Sequence, residues 1–165
     1  RTRAPATHGW RARTGVRVVR SMVPPTGDGG SPAPIDRPIL EFLQSRLHAT
    51  RQISRATVTD ASGHLELHAV FAPSYYPTAV DEAQLTVRWY TNDDFKLHYR
   101  EQHSDHTWEC RWDRHPNPHN TRDHFHPPPT APTPGEDASW PNDHRDVVAL
   151  VLGEIEDRIT ALWSE

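Results

Sequence analysis

Three consecutive segments alternate apolar and polar residues with a period of two. They lie at residues 85–90, 95–100 and 108–113, and short polar stretches at residues 92–94 and 103–106 separate them. Period-two alternation is typical of strands that bury one face of a sheet and leave the other face wet. Connections this short join neighbouring strands in opposite directions. The sequence therefore predicts an antiparallel meander with one apolar and one polar face.

The polar stretch at residues 103–106 also predicts how the last two of these strands pair. A four-residue turn there sets apolar residues opposite each other on one face and charged residues opposite each other on the other face. Most of the charged pairs are complementary, which favours this register, although they also have a plainer interpretation as solvated cross-strand partners. The predicted pairs are Leu97 with Trp112, Tyr99 with Cys110, Lys96 with Asp113, His98 with Arg111, and Arg100 with Glu109.

Two more strands and an N-terminal helix precede the meander. Residues 53–59 and 64–71 flank a connection that contains glycine, as in a hairpin. The proline-containing residues 72–83 are expected to form a loop. Asp36 has the side chain of a helix N-cap, and the apolar residues after it keep helical spacing until about Thr50.

The C-terminal part of the chain predicts a second helix after a long loop. Residues 115–142 are rich in Pro and His and are expected to form the loop. Asn142 or Asp143 is the expected N-cap of the helix, and apolar residues follow with amphipathic spacing. The predicted fold class is α+β: an antiparallel meander of about five strands with an N-terminal and a C-terminal helix packed on one face.

The first residues differ in composition from the remainder. Residues 1–21 contain six arginines and no acidic residue, and residues 23–35 are rich in Pro, Gly and Ser. We therefore predict a disordered, basic and Pro/Gly-rich N-terminal extension at residues 1–35 and a single α+β domain at residues 36–165. Because Met22 is the only methionine, the preceding residues are interpreted as an upstream extension; a basic arm for nucleic acid and a targeting segment are the alternatives.

Charge and composition exclude several classes of protein. Of the 18 Lys and Arg residues, six precede Met22, so the rest of the chain holds 12 of them against 22 Asp and Glu. Lys96 is the only lysine. This acidic, lysine-poor pattern predicts a halophilic, archaeal, cytoplasmic protein, with high GC content of the gene as the alternative. The single cysteine excludes a disulfide framework, and no apolar run predicts a membrane span.

The segment at residues 111–126 contains most of the candidate functional side chains. It holds four histidines among arginines, aspartates and prolines, and loops of this kind are where functional side chains gather. His124 and His126 are two positions apart, so in an extended segment they point the same way and suit one divalent metal ion. Asp113, His115 or His119 could complete such a site.

A second interpretation is phosphodiester cleavage without a metal. Attack of an RNA 2′-hydroxyl on its own phosphate needs a base, an acid and a cation. The histidines supply the first two, arginines supply the third, and an aspartate orients a histidine; Arg114 and Arg122 are further cations and Asp123 a further orienting group. A polar loop pinned by Arg–Asp pairs is the alternative. The candidate catalytic residues are Arg111, Asp113, His115, His119, His124 and His126.

These residues carry a resemblance to a known family. Arg-Trp-Asp at residues 111–113, the Pro/His cluster, Asp-His-Phe-His-Pro at residues 123–127 and a final helix resemble the TumE-like toxins of prokaryotic toxin–antitoxin pairs. The resemblance covers roughly residues 53–163, and here a phenylalanine interrupts the usually tighter histidine cluster. It implies a strand meander and a toxin that is neutralised by an antitoxin encoded next door, often a helix-turn-helix protein.

The leading hypothesis is a toxin-like component of a toxin–antitoxin pair that acts on RNA by ribonuclease-type cleavage. Its partners are a cognate antitoxin and RNA, with no membrane. The alternative is a non-catalytic interaction or metal-binding protein that uses the His/Pro-rich loop. A salt-adapted protein without any site is the third hypothesis.

Overall fold

The computed structural model describes residues 33–61 and 63–165 of the chain. In this part, seven antiparallel strands form one sheet in the order β1-β2-β3-β4-β5-β6-β7, so each strand lies beside its neighbour in sequence. One helix precedes the sheet and another follows it. The elements are α1 (Arg37–His48), β1 (Ile53–Ala61), β2 (His64–Phe71), β3 (Val80–Trp89), β4 (Phe95–His103), β5 (Thr107–Arg114), β6 (Asp123–His126), β7 (Glu136–Asp137) and α2 (His144–Leu162).

Both helices begin at aspartate caps, as predicted. The Asp36 side chain accepts a hydrogen bond from the backbone N–H of Ile39 at 3.1 Å, and Pro38 lies in the first turn of α1. The Asp143 side chain accepts from the backbone N–H of Arg145 at 2.8 Å at the start of α2. Each cap supplies an acceptor to an N–H group that has no partner within the helix.

The predicted register of the meander is confirmed. Tyr99 pairs with Cys110, Leu97 with Trp112, and the polar pairs fall where the four-residue turn places them. The strands therefore present one continuous apolar face. Buried side chains of both helices pack on that face, so helices and sheet share one core. From α1 these are Leu40, Leu43 and Leu47, and from α2 they include Val151, Ile155 and Ile159.

The predicted number of strands is wrong: the sheet has seven strands, not about five. The additional β6 and β7 lie within residues 115–142, which were expected to be a loop. The outer edge of β5 has backbone N–H and C=O groups that need partners, and β6 supplies them. Its sequence, Asp-His-Phe-His, lacks β-branched residues, so no local signal predicted a strand.

The loop before β3 is also shorter than predicted. Val80 already belongs to β3, so only the first part of the expected loop at residues 72–83 lacks strand structure, and it contains a short 3₁₀ helix at Pro73–Tyr75. The predicted extension at residues 1–35 lies almost wholly outside the described residues. At its end, Ile35 forms a β-bridge with Tyr90. None of the helices in the described part of the chain is long and apolar enough to cross a membrane.

Candidate functional site

The candidate site lies on the polar face of the sheet, away from the helices. Alternation along β5 and into the residue that follows it places Arg111, Asp113 and His115 on one side, as the period-two pattern requires. Pairing of β5 with β6 then sets His124 opposite Asp113 and His126 opposite Arg111. These five residues, called the Asp113 cluster below, come together through strand register.

Asp113 is the centre of this cluster. Its side chain is 0% exposed. One carboxylate oxygen, Oδ2, lies 2.9 Å from Nε of Arg111. The Nε2 atoms of three histidines surround the same oxygen: His126 at 3.3 Å, His115 at 3.4 Å and His124 at 3.7 Å. The other oxygen, Oδ1, has no hydrogen-bond partner among the residues that the structure describes.

Backbone carbonyl oxygens beside the three histidines favour one tautomer of each ring. A carbonyl oxygen only accepts, so it favours the neutral tautomer in which Nδ1 carries the hydrogen and Nε2 keeps a lone pair. That lone pair faces the carboxylate of Asp113. At His124 the side-chain nitrogen of Asn117, 3.4 Å from the same Nδ1, opposes this preference. The Nδ1-to-carbonyl distances are 3.1 Å from His115 to Pro116, 3.1 Å from His124 to Arg122, and 2.8 Å from His126 to Pro132.

Arg111 links the two sides of the cluster. Its terminal nitrogen lies 3.0 Å from Nε2 of His126 while its Nε donates to Asp113. A guanidinium has no acceptor, so Nε2 of His126 accepts this bond and cannot donate to the carboxylate. Arg111 therefore occupies the lone pair of His126. The Nε2 atoms of His115 and His124 have no such donor in the contacts that surround Asp113.

The environment shifts two of the ionisation equilibria. Burial on its own raises the pKa of Asp113, but the positive charges of Arg111 and Lys96 help to hold the pKa below its usual range. Burial lowers the pKa of His124, and the negative charge of Asp113 offsets this only in part. A charged Asp113 beside a neutral His124 is therefore the expected state near neutral pH.

The loops around β6 and β7 cover the cluster closely. Gly135 has a φ of +85°, and a Cβ atom at that position would lie 2.6 Å from the carbonyl oxygen of Phe125 and 3.1 Å from Nδ1 of His126. Only glycine permits this approach. The side chain of Asn117 holds the other loop, because its Oδ1 accepts from the backbone N–H groups of His119 at 2.9 Å and Asn120 at 2.7 Å.

A pocket of about 190 Å³ gives a ligand access to the cluster. His119 lines its rim with an exposed side chain, and it takes no part in the contacts around Asp113. Five of the six predicted residues thus come together, and the sixth lies at the entrance. The lining residues are Arg111, His115, Pro116, Asn117, Pro118, His119, His124, His126, Thr133 and Pro134.

The family model for Toxin TumE matches residues 36–159, which include both β5 and β6 and most of α2. The chain belongs to the TumE toxin family. The resemblance carried by the Arg-Trp-Asp and His-Phe-His segments is therefore confirmed, and the role of the protein is toxin-like. No curated protein and no solved structure matches the chain.

The two other arginines that were predicted as cations do not reach the Asp113 cluster of this TumE-family protein. Arg114 forms a paired contact with Asp123, at 2.6 and 3.1 Å, and also donates to the carbonyl oxygens of Trp140 and Pro141. Arg122 donates to the buried carboxylate of Asp94 at 3.0 Å. Asp123 therefore orients an arginine and not a histidine. For these residues, the interpretation as a loop pinned by Arg–Asp pairs is correct.

Several supporting residues had no sequence signal. Trp140 donates from its indole nitrogen to the backbone carbonyl of Asp113 at 3.0 Å, and Pro132 supplies the carbonyl that fixes His126. Both lie in the loop region after β6, and their contacts depend on how that region folds. Lys96, in contrast, lies opposite Asp113 in the register that the turn at residues 103–106 predicted.

Proposed function

We propose that this TumE-family protein is the toxin of a toxin–antitoxin pair and that it cleaves RNA at the Asp113 cluster. The observation that carries the proposal is the convergence of three imidazoles and one guanidinium on a buried carboxylate, beside a pocket that a ligand can enter. Membership in a toxin family supplies the toxin role. The side chains of the cluster, which suit phosphodiester cleavage, are the reason for proposing RNA as the substrate.

The groups required for phosphodiester cleavage are all present at the pocket. A phosphate in the pocket would meet the guanidinium of Arg111, which can bind its oxygens and stabilise the charge that develops during attack. His115 and His124 line the same pocket with their Nε2 atoms unprotonated in the neutral form, as an acceptor of the 2′-hydroxyl proton requires. The backbone carbonyl oxygens of Pro116 and Arg122 orient the two rings, and His119 at the rim is placed to contact the departing nucleotide.

The partner that fits this role is a cognate antitoxin protein. A toxin that cleaves RNA must be neutralised in its own cell, and membership in the toxin family supports a dedicated partner. The setting in a salt-rich archaeal cytoplasm stays a prediction, supported by the excess of acidic residues after residue 21 and the single lysine.

Cleavage of RNA by the purified full chain, in high salt, tests the proposal. We expect the wild type to cleave single-stranded RNA and the His124→Ala/His126→Ala double variant to lose at least ~100-fold in rate, a typical contribution of acid–base groups. The matched control is His48→Ala/His64→Ala, which removes two exposed histidines outside the pocket. Circular dichroism establishes that each variant is folded.

The result also separates an enzyme from a binding module. An enzyme variant that lacks His124 and His126 should still bind the antitoxin encoded beside the gene, while cleavage is lost. If the wild type leaves every RNA intact, or if the double variant cleaves as fast as the wild type, the proposal is wrong. Loss of antitoxin binding without any cleavage by the wild type would favour the non-catalytic interaction protein.

A further inference from the structure

We propose that the Asp113 cluster binds one divalent first-row transition metal ion, with Asp113, His115 and His124 as its ligands. The site is the one to which RNA cleavage is assigned above. The part that the ion would play in cleavage rests on that proposed function. Binding of the ion does not rest on it and can be measured without RNA.

The ligand atoms already lie at suitable distances. One atom from each of Asp113, His115 and His124 lies within 4.8 Å of the others. Nε2 of His115 is 3.4 Å from Oδ2 of Asp113, and Nε2 of His124 is 3.7 Å from it. Two ligand atoms at ~2.0–2.1 Å from a tetrahedral ion lie ~3.3 Å apart. Small side-chain movements would therefore bring all three onto one ion.

In the favoured tautomer the Nε2 acceptors of His115 and His124 face an acceptor oxygen of Asp113. A backbone carbonyl oxygen lies 3.1 Å from Nδ1 of both His115 and His124, which favours the tautomer whose Nε2 lone pair faces the carboxylate. Lone pairs that converge without a donor repel one another, and a cation removes that repulsion. Carbonyl groups that fix the distal ring nitrogen are also the usual supports of metal-bound histidines.

An independent observation is the orphaned oxygen of Asp113. Its Oδ1 is buried and has no hydrogen-bond partner within residues 33–61 and 63–165. A buried carboxylate with a hydrogen bond to only one oxygen is a poor structural group, because a buried acceptor without a partner is costly. Coordination would give Oδ1 the partner that it lacks in the described part of the chain.

Arg111 and His126 act as positioning residues in this arrangement. Arg111 holds Oδ2 and also donates to Nε2 of His126, so the lone pair of His126 is engaged. The sequence had predicted His124 and His126 as ligands, with Asp113, His115 or His119 to complete the site. The proposed set keeps His124, Asp113 and His115 and omits His126 and His119. The positive charge of Arg111 also weakens cation binding and favours an anionic ligand such as phosphate on the ion.

The donor set indicates which ion fits. Two imidazoles and one carboxylate suit zinc, iron(II), cobalt or nickel, whereas magnesium and calcium prefer oxygen donors. His115 and His124 line the solvent-accessible pocket, so coordination positions remain open beside the protein ligands. Three protein ligands with an open position are typical of catalytic and not structural zinc sites.

Titration of the chelator-stripped full chain with Zn²⁺, followed by calorimetry, tests the inference. We expect one ion per chain with a Kd of ~1 μM or below. Each of Asp113→Asn, His115→Ala and His124→Ala should weaken binding at least ~100-fold, and His126→Ala, which removes a positioning residue, by ~10-fold. The control His48→Ala/His64→Ala should bind as the wild type does, which excludes incidental binding by exposed histidines.

A second measurement on the wild type avoids any variant that fails to fold. Co²⁺ added to the stripped chain should give the visible absorption of a four- or five-coordinate ion, and Zn²⁺ should displace it. The inference is overturned if the wild type binds no Zn²⁺ tighter than ~100 μM. It is also overturned if folded variants of all three ligands bind as tightly as the wild type.

The two proposals can fail separately. A wild type that binds one Zn²⁺ through these ligands but leaves RNA intact supports the metal site and overturns RNA cleavage. RNA cleavage that persists in excess chelator, by a chain that shows no stoichiometric binding, supports the proposed function and overturns the metal site.

Discussion

The sheet carries a buried carboxylate on each face, and the two are supported in different ways. Glu101 lies on the helix-covered face and is 0% exposed. Its oxygens accept from Tyr99 at 2.9 Å and from two nitrogens of Arg158 at 3.0 Å each, and His103 lies 3.0 Å away. Asp113, equally buried, has one donor at 2.9 Å and an oxygen without a partner in the described part of the chain.

The difference between these carboxylates separates a structural network from a site. Each oxygen of Glu101 has a strong donor, and Arg158 of α2 covers it, so the network ties the last helix to the sheet. Asp113 is short of donors and lies beneath histidines that line a pocket. Burial and charge are common to both. The shortage of donors and the access to solvent are the grounds on which we propose Asp113, and not Glu101, as the functional carboxylate.

Removal of the Glu101 carboxylate should have the largest effect on stability. Glu101→Ala leaves His103 without its carboxylate and Arg158 with only the exposed Glu165 among the described carboxylates, and loss of one member of a buried ion pair costs about 3–5 kcal/mol. Denaturant unfolding, followed by circular dichroism, measures the change in the free energy of unfolding. A loss below about 1 kcal/mol would show that the network adds little.

Tyr99→Phe should have an intermediate effect and should change the response to alkaline pH. Loss of a hydrogen bond to a charged group costs about 1–3 kcal/mol at neutral pH. Burial, with Tyr76 and Glu101 nearby, also raises the pKa of Tyr99 far above its usual value. The unfolded chain therefore ionises first, so the contribution to stability is complete below about pH 10 and is lost as pH rises beyond it.

Unfolding measured from pH 8 to 11 checks this expectation. The wild type should lose stability with rising pH more steeply than Tyr99→Phe, although Tyr76 keeps part of the slope because its pKa is also raised by burial. Equal slopes in the two proteins would contradict the assignment of the effect to Tyr99.

Asp113→Asn should cost less stability than Glu101→Ala and should remove function. The amide preserves the shape but leaves Arg111 without the carboxylate of Asp113, so we expect a loss of about 1–2 kcal/mol in the free energy of unfolding. RNA cleavage should fall at least ~100-fold, because the amide can no longer stabilise charged or metal-bound partners. A variant as unstable as Glu101→Ala would remove the contrast between the two carboxylates.

His119→Ala should have the smallest effect. The side chain is exposed at the rim and makes no contact with Asp113, so stability should stay within about 0.5 kcal/mol. Cleavage should fall by no more than ~10-fold. A loss as large as that of His124→Ala would place His119 among the groups that act on the substrate.

Much of the fold could be predicted because its signals are local. Asp36 and Asp143 are N-cap residues that indicate where the helices begin. Alternation of apolar and polar residues on both sides of a short turn sets Leu97 opposite Trp112. β6 could not be predicted, since its strand structure comes from pairing with β5. Alternation along β5 predicted that Arg111 and Asp113 share a side, and the spacing of His124 and His126 predicted that these two point the same way. Arg114 and Arg122 could not be assigned to ion pairs without the folded loops.

Growth of a suitable host that expresses the chain is the most direct measurement of the central claim, that the Asp113 cluster is the functional site of this toxin. Wild type should be compared with Asp113→Asn and with the His48→Ala/His64→Ala control, each shown to be folded in high salt. We expect the wild type and the control to arrest growth and Asp113→Asn to permit it. Growth arrest by folded Asp113→Asn as strong as that of the wild type would contradict the claim.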